Sequence, residues 1–288
     1  MTPDTPNRQI TRSTDRQSNK LRVGCVSFLN ALPLIDGLQN HPALDIRYDV
    51  PSRLLDDLVQ DKVDLALCPV VDYQTSPIPL RIVPVGGIGS EGETLTVRLF
   101  SSVPFESTTE LYADTDSHTS VILAQVVLHE LYGLRPAIRD LTDPLPAAAQ
   151  TVLLIGDKVI RSAPDDSRYP FQLDLGRAWL DLTSLPFVFA VWMCRQDASL
   201  GRVPQILNQQ RRHNATQIPR IVARHASDAG FSRQVAEAYL GRILRYDIGP
   251  LELAAIERFW RQAHALGLLP RLRPLFIDQK DECFTPTD

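Results

Sequence analysis

No pair of the four cysteines makes a CxxC motif or any other metal-ligand spacing. Cys25, Cys68 and Cys194 lie in apolar, strand-like runs. They read as small, reduced core residues, as expected in a reducing cytoplasm. A basic surplus is also missing. The 30 Lys and Arg face 34 Asp and Glu, for a formal charge of −4, which argues against a broad nucleic-acid surface. A small anion is not excluded, because backbone dipoles bind anions without surface charge. No apolar run approaches the ~18 residues of a membrane span. Residues 1–20 have no hydrophobic stretch of the secretory kind and are expected to form a disordered tail. None of the six histidines stands at a familiar catalytic spacing from an Asp or Ser.

What is present is an ordinary globular composition, 44% hydrophobic and 22% charged. A chain of 288 residues is long for one core, so two lobes are expected. Val23–Phe28 reads as a strand and 33–38 as a short helix. The alternating stretch 44–50 follows, then a helix from Pro51-Ser52 with Leu54, Leu55, Leu58 and Val59 on one stripe, then the strand 63–69. This β-α-β-α-β order implies parallel pairing with right-handed crossovers. Residues 80–85 make another short strand, GGIGSEGE a loop, and TLTVRLFSS a long strand. A second α/β unit follows. Its helix 121–134 is closed by Gly133, and 161–175 reads as loop.

Residues 185–194 return as an apolar strand. Two amphipathic helices then follow, with Val235, Tyr239, Ile243, Leu253, Ile256, Phe259 and Trp260 facing a core. Lobe 1 is thus expected from 21–100 with 192–288, and lobe 2 from 101–191. Two hinge strands, near 95–102 and 187–194, would join them, with the ligand in the cleft between.

The stretch RVGCVSFLNALPLIDGL, residues 22–38, places Ser27 and Asn30 around an apolar junction where a strand ends. Ligands of open parallel sheets bind beyond such ends. By position alone, Asn30 serves equally as a helix cap or as an amide facing a ligand.

In order along the chain come SFLNALPL, Val50-Pro-Ser52 before a Leu-rich helix, Asp64-Leu-Ala-Leu with Pro69-Val-Val-Asp-Tyr73, Gly89-Ser-Glu-Gly92, Thr119-Ser120, Ile155-Gly-Asp157 and LPFVFAVW. This ordered set, over about residues 21–270, resembles the chorismate dehydratase family of the futalosine route to menaquinone. The resemblance implies an α/β fold, two-lobed and like type II periplasmic binding proteins, with a helical C-terminal segment. It implies a cytoplasmic lyase that removes water from chorismate to give 3-[(1-carboxyvinyl)oxy]benzoate, with no metal or organic cofactor and neither a nucleic acid nor a membrane as partner.

The same resemblance implies that Asn30 and Thr96 are catalytic, and that Ser27, Ser52, Thr119, Ser120, Gly156 and Asp157 bind substrate. Thr96 stands where the family usually has Ser, His118 where it usually has Arg, and Asp72 where it more often has Glu. Asp157 reads as structural more than as a base, since a base would be repelled by a dianionic substrate. Two alternatives share the fold: the sister enzyme 1,4-dihydroxy-6-naphthoate synthase, and a small-anion binding protein without chemistry.

Overall fold

The computed structural model describes residues 20–114, 117–142, 145–146 and 148–278. The tail expected over 1–20 falls outside them, except for Lys20, and so do Cys283 and the last ten residues. The chain opens with β1 (Leu21–Cys25), α1 (Leu32–Ile35), β2 (Leu44–Tyr48), α2 (Pro51–Val59), β3 (Leu65–Pro69), α3 (Asp72–Thr75) and β4 (Leu80–Ser90). A second group follows: β5 (Val97–Ser101), β6 (Glu110–Ala113), α4 (His118–Tyr132), β7 (Ala137–Asp140), β8 (Thr151–Ile155), α5 (Asp157–Ser162), β9 (Phe171–Asp174) and α6 (Leu175–Thr183). β10 (Phe187–Arg195) leads into α7 (Val203–Ala215), α8 (Ile218–His225), α9 (Arg233–Ala238), β11 (Leu244–Arg245) and α10 (Pro250–Ala265).

These strands form two sheets. One runs β11-β4-β10-β3-β1-β2 and the other β7-β6-β8-β5-β9. β1 pairs in parallel with β2 and β3, as the β-α-β-α-β reading requires. β10 comes back antiparallel between β3 and β4. The expected strands near 95–102 and 187–194 are present, each wholly within one sheet. The chain therefore crosses between sheets through 91–96 and again through α6.

The Gly-rich stretch is strand, not loop. β4 continues through Gly89 because its glycines let it approach β10 closely. A Cβ on Gly87 would lie 2.6 Å from the Ala190 carbonyl oxygen, and one on Gly89 2.6 Å from that of Phe187. Gly89→Ala should therefore force the strands apart and cost about 1–3 kcal/mol. Gly241→Ala, whose added methyl would meet only Ile218 at 3.6 Å, should be neutral or slightly stabilising. Melting temperatures of the two variants check this, and equal values would remove the close-approach argument.

Residues 161–175 are not all loop either. Asp174 accepts hydrogen bonds from the Gly176 and Arg177 N–H groups and so starts α6, the ordinary use of Asp at a helix N-cap. α10 lays Phe259 against Trp179 and Phe187 with ring centroids 5.8 and 4.9 Å apart. Trp260 stacks on Tyr73 at 4.8 Å and donates its indole N–H to the Val70 carbonyl. Val235, expected in the core, is exposed.

Candidate active site

A cleft of about 410 Å³ opens between the two sheets. The junction after β1 supplies one wall, with Phe28 and Asn30; Val50 and Pro51 extend it. The opposite wall carries Thr94, Thr96, Thr119, Ser120, Gly156, Asp157 and Lys158. Tyr239 and Leu244 close it from the C-terminal segment. Six of the eight residues proposed from the sequence thus meet at one cavity although they are far apart in the chain. Ser27 is exposed and Ser52 half-buried, and neither lines the cavity.

Asn30 sits in a short 3₁₀ turn, Leu29–Ala31, whose N-cap is Phe28; the next helix has Ala31 as N-cap, and neither cap uses a side chain. The helix-cap reading of Asn30 therefore falls away. Its side-chain oxygen is buried without a hydrogen-bond partner. Among the described residues an unpaired buried acceptor is a costly feature, and it turns up beside the cavity.

Thr96 is not on a strand. It lies in a bend just before β5. The Asp174 carboxylate shapes that bend by accepting from the Thr94 and Leu95 N–H groups and from the Thr94 hydroxyl. Leu95 is held at φ 67°, a conformation that non-glycine residues adopt only when their surroundings impose it. Gly176 permits this approach, since a Cβ there would lie 2.4 Å from Thr94 and 2.5 Å from the Gly92 carbonyl oxygen. The Thr96 carbonyl accepts from the Gly156 N–H at 2.7 Å, and Gly156 itself adopts φ 63°, where a side chain would be strained. The Thr96 hydroxyl is 2.8 Å from that of Tyr239, and both are buried. Burial pushes the Tyr239 phenol up to about 12, against hydrogen bonding from Thr96 and Asn30 and with help from the Asp157 charge.

α4 begins at the cavity with no side chain capping its N-terminus. Thr119 donates its hydroxyl to the Phe189 carbonyl at 3.1 Å, at a register irregularity in the β10–β4 pairing. Such bulges re-aim strands beside binding sites. The N-terminal N–H groups and partial positive charge of α4 suit a carboxylate. Lys158 is paired with Asp114. Burial raises the Asp157 carboxyl above its ordinary value, opposed by Arg161.

Asp72 and His118, both departures from the resembled pattern, face each other. His118 Nδ1 lies 2.9 Å from Asp72 Oδ1, linking α3 to the start of α4. Asp72 is fully buried, and its other oxygen has no partner. Neither side chain lines the cavity. Burial pushes the Asp72 carboxyl above 3.8, with His118 pulling partly back. A native value above the unfolded one means that the folded protein binds more protons between the two, so stability falls as pH rises through that window. Asp72→Asn removes this ionisation. Its melting temperature relative to wild type should climb from pH 3.8 upward and level off once the native carboxyl is ionised. Parallel pH curves for the two proteins would contradict this.

Two residues important to this geometry were not singled out from the sequence. Asp174 had a signal, an Asp directly before an amphipathic segment. Tyr239 had only helical periodicity, which assigned it to the core. It is buried as expected, but its hydroxyl reaches the cavity wall.

Among known proteins, residues 21–265 match the family model described as menaquinone biosynthesis. A chorismate dehydratase of Thermus thermophilus is 27% identical over 262 residues, covering 85% of this chain and 95% of that protein. A chorismate dehydratase of Campylobacter jejuni is 25% identical over 253 residues, covering 85% and 98%. In fold, the alkanesulfonate-binding protein of Xanthomonas axonopodis, solved with MOPS bound, is similar with a TM-score of 0.64 at 16% identity, covering 88% of this chain and 95% of that one. The architecture is that of periplasmic binding proteins.

Proposed function

The chain belongs to the menaquinone-biosynthesis family matched over residues 21–265, and from that premise we propose that it is a lyase converting chorismate to 3-[(1-carboxyvinyl)oxy]benzoate and water, in the futalosine route. The observation that carries the reading is the intersheet cavity, where Asn30, Tyr239 and Thr96 form one polar cluster in a largely apolar wall beside the free start of α4. In this reading one substrate carboxylate sits at the N-terminus of α4, over Thr119 and Ser120, with the Gly156 backbone close by. Lys158, now on Asp114, is near enough to share an anion's charge.

The reaction removes a proton from the ring carbon bearing the enolpyruvyl ether and expels the neighbouring hydroxyl. The ring becomes aromatic, and the two fragments leave as water. The lining residues offer no strong base: Asp114 is held by Lys158, burial favours the protonated form of Asp157, and Tyr239 stays a neutral phenol. The substrate's own carboxylate is therefore assigned as proton acceptor. The protein contributes orientation, worth about 7–11 kcal/mol in favourable intramolecular cases, and donors aimed at the developing charge. A cytoplasmic setting goes with this reading, supported by buried thiols that remain free.

Incubation of the purified protein with chorismate should yield a new aromatic acid 18 mass units lighter, by mass spectrometry and the arithmetic of losing one water. A folded protein that binds chorismate without converting it would favour the binding-protein alternative, and no binding at all would reject the substrate.

A further inference from the structure

We infer that Tyr239 is a positioning residue of this site, orienting the Thr96 hydroxyl so that its proton points at the bound substrate. The inference rests on the functional reading above and deepens it. Three observations converge. Tyr239 lines the cavity although it belongs to a C-terminal helical segment. It is the first residue of a π-helical turn, Tyr239–Ile243, that interrupts the run from α9, and such turns are rare and recur at functional sites. Its hydroxyl is 2.8 Å from Thr96 Oγ1, and the Asn30 side chain also acts on it.

The direction of the chain follows from the inventory of donors. The Asn30 side-chain oxygen has no partner, so it is the amide N–H₂ that faces Tyr239, and an N–H₂ only donates. With its oxygen accepting from Asn30, the Tyr239 O–H is free to donate to Thr96 Oγ1. Thr96, having accepted, has its own proton left for the cavity. The order is Asn30 to Tyr239 to Thr96 to substrate, and each bond polarises the next. Tyr239 cannot act as the base in this arrangement, since burial keeps it a neutral phenol far above neutral pH. Without it the Thr96 oxygen stays in place, because a β-branched side chain is stiff at χ1, but nothing fixes where its proton points.

The test is a double-variant cycle of Tyr239→Phe and Thr96→Val. Phe keeps the ring that stacks on Phe231 at 5.3 Å, so folding should survive; melting temperatures verify it. Tyr239→Phe should lower kcat about tenfold, the loss of one oriented hydrogen bond, with KM changed by less than about threefold on the same scale. Because Tyr239 acts through Thr96, the double variant should be no slower than Thr96→Val alone. A merely structural Tyr239 would make the losses multiply, and that result would overturn the inference, as would wild-type kcat in a folded Tyr239→Phe protein. If wild type itself fails to convert chorismate, the functional reading falls first and takes this role with it. If wild type converts it and the losses multiply, only the role of Tyr239 falls.

Discussion

Replacing Asn30 by alanine is expected to lower chorismate turnover by roughly 10²–10³-fold, the usual cost of removing one donor aimed at developing charge. The melting temperature should hardly move. Asn30 caps neither the 3₁₀ turn around it nor the helix that follows, so no capping hydrogen bond is lost. Its side-chain oxygen is already unpaired, and removing a buried unsatisfied acceptor recovers stability rather than spending it. What alanine does remove is the amide that fixes the Tyr239 hydroxyl. The two readouts together decide the matter. A large loss of turnover in a protein that melts normally supports the role in the site. Full activity removes Asn30 from the mechanism, and a large drop in melting temperature shows a structural part that the geometry does not contain.

Thr96→Val should cut turnover by ten-fold or more, and Thr96→Ser should retain most of it. Valine keeps the volume and the branching but deletes the hydroxyl. The Tyr239 hydroxyl, buried and 2.8 Å away, is then left without its acceptor at about 1–3 kcal/mol. Serine keeps the hydroxyl and loses only a methyl and some stiffness at χ1. The competing view makes Thr96 a strand former chosen for β-propensity, for which valine would be the better replacement. The placement of Thr96 in a bend before β5 weakens that view, since strand propensity has nothing to act on there. Turnover and melting temperature of both variants give opposite rankings under the two views. An active, more stable Thr96→Val protein would end the hydroxyl assignment.

Much of the architecture was legible from local pattern. The alternation and apolar runs around 21–69 define strands and helices because burial of one face has a period that the residues themselves carry. The closing Gly133 adopts the left-handed conformation expected of a helix stop. The family was legible because its short motifs occur in order along the chain. Where local reading failed, a long-range contact was responsible. Gly86 to Gly89 look like loop to any local rule, since glycine weakens an isolated strand. They are strand because β10 lies too close for a side chain. The stretch around Asp174 looks like polar loop until the carboxylate is seen holding a bend 80 residues earlier.

The sequence by itself determined that the chain would build layered α/β units, which family it joins, and that polar residues such as Asn30 and Thr119 stand at element ends where ligands bind. Only the tertiary structure decided which of these side chains share a cavity. It left Ser27 and Ser52 outside, joined Asp72 to His118 across 46 residues, and brought the Tyr239 hydroxyl to Thr96 across 143. The physical reason is that hydrophobic periodicity specifies that a side chain is buried but not what it is buried against. For a leucine the difference matters little. For a tyrosine, whose one polar atom must find its partner wherever the chain has folded, it separates a core residue from part of the site.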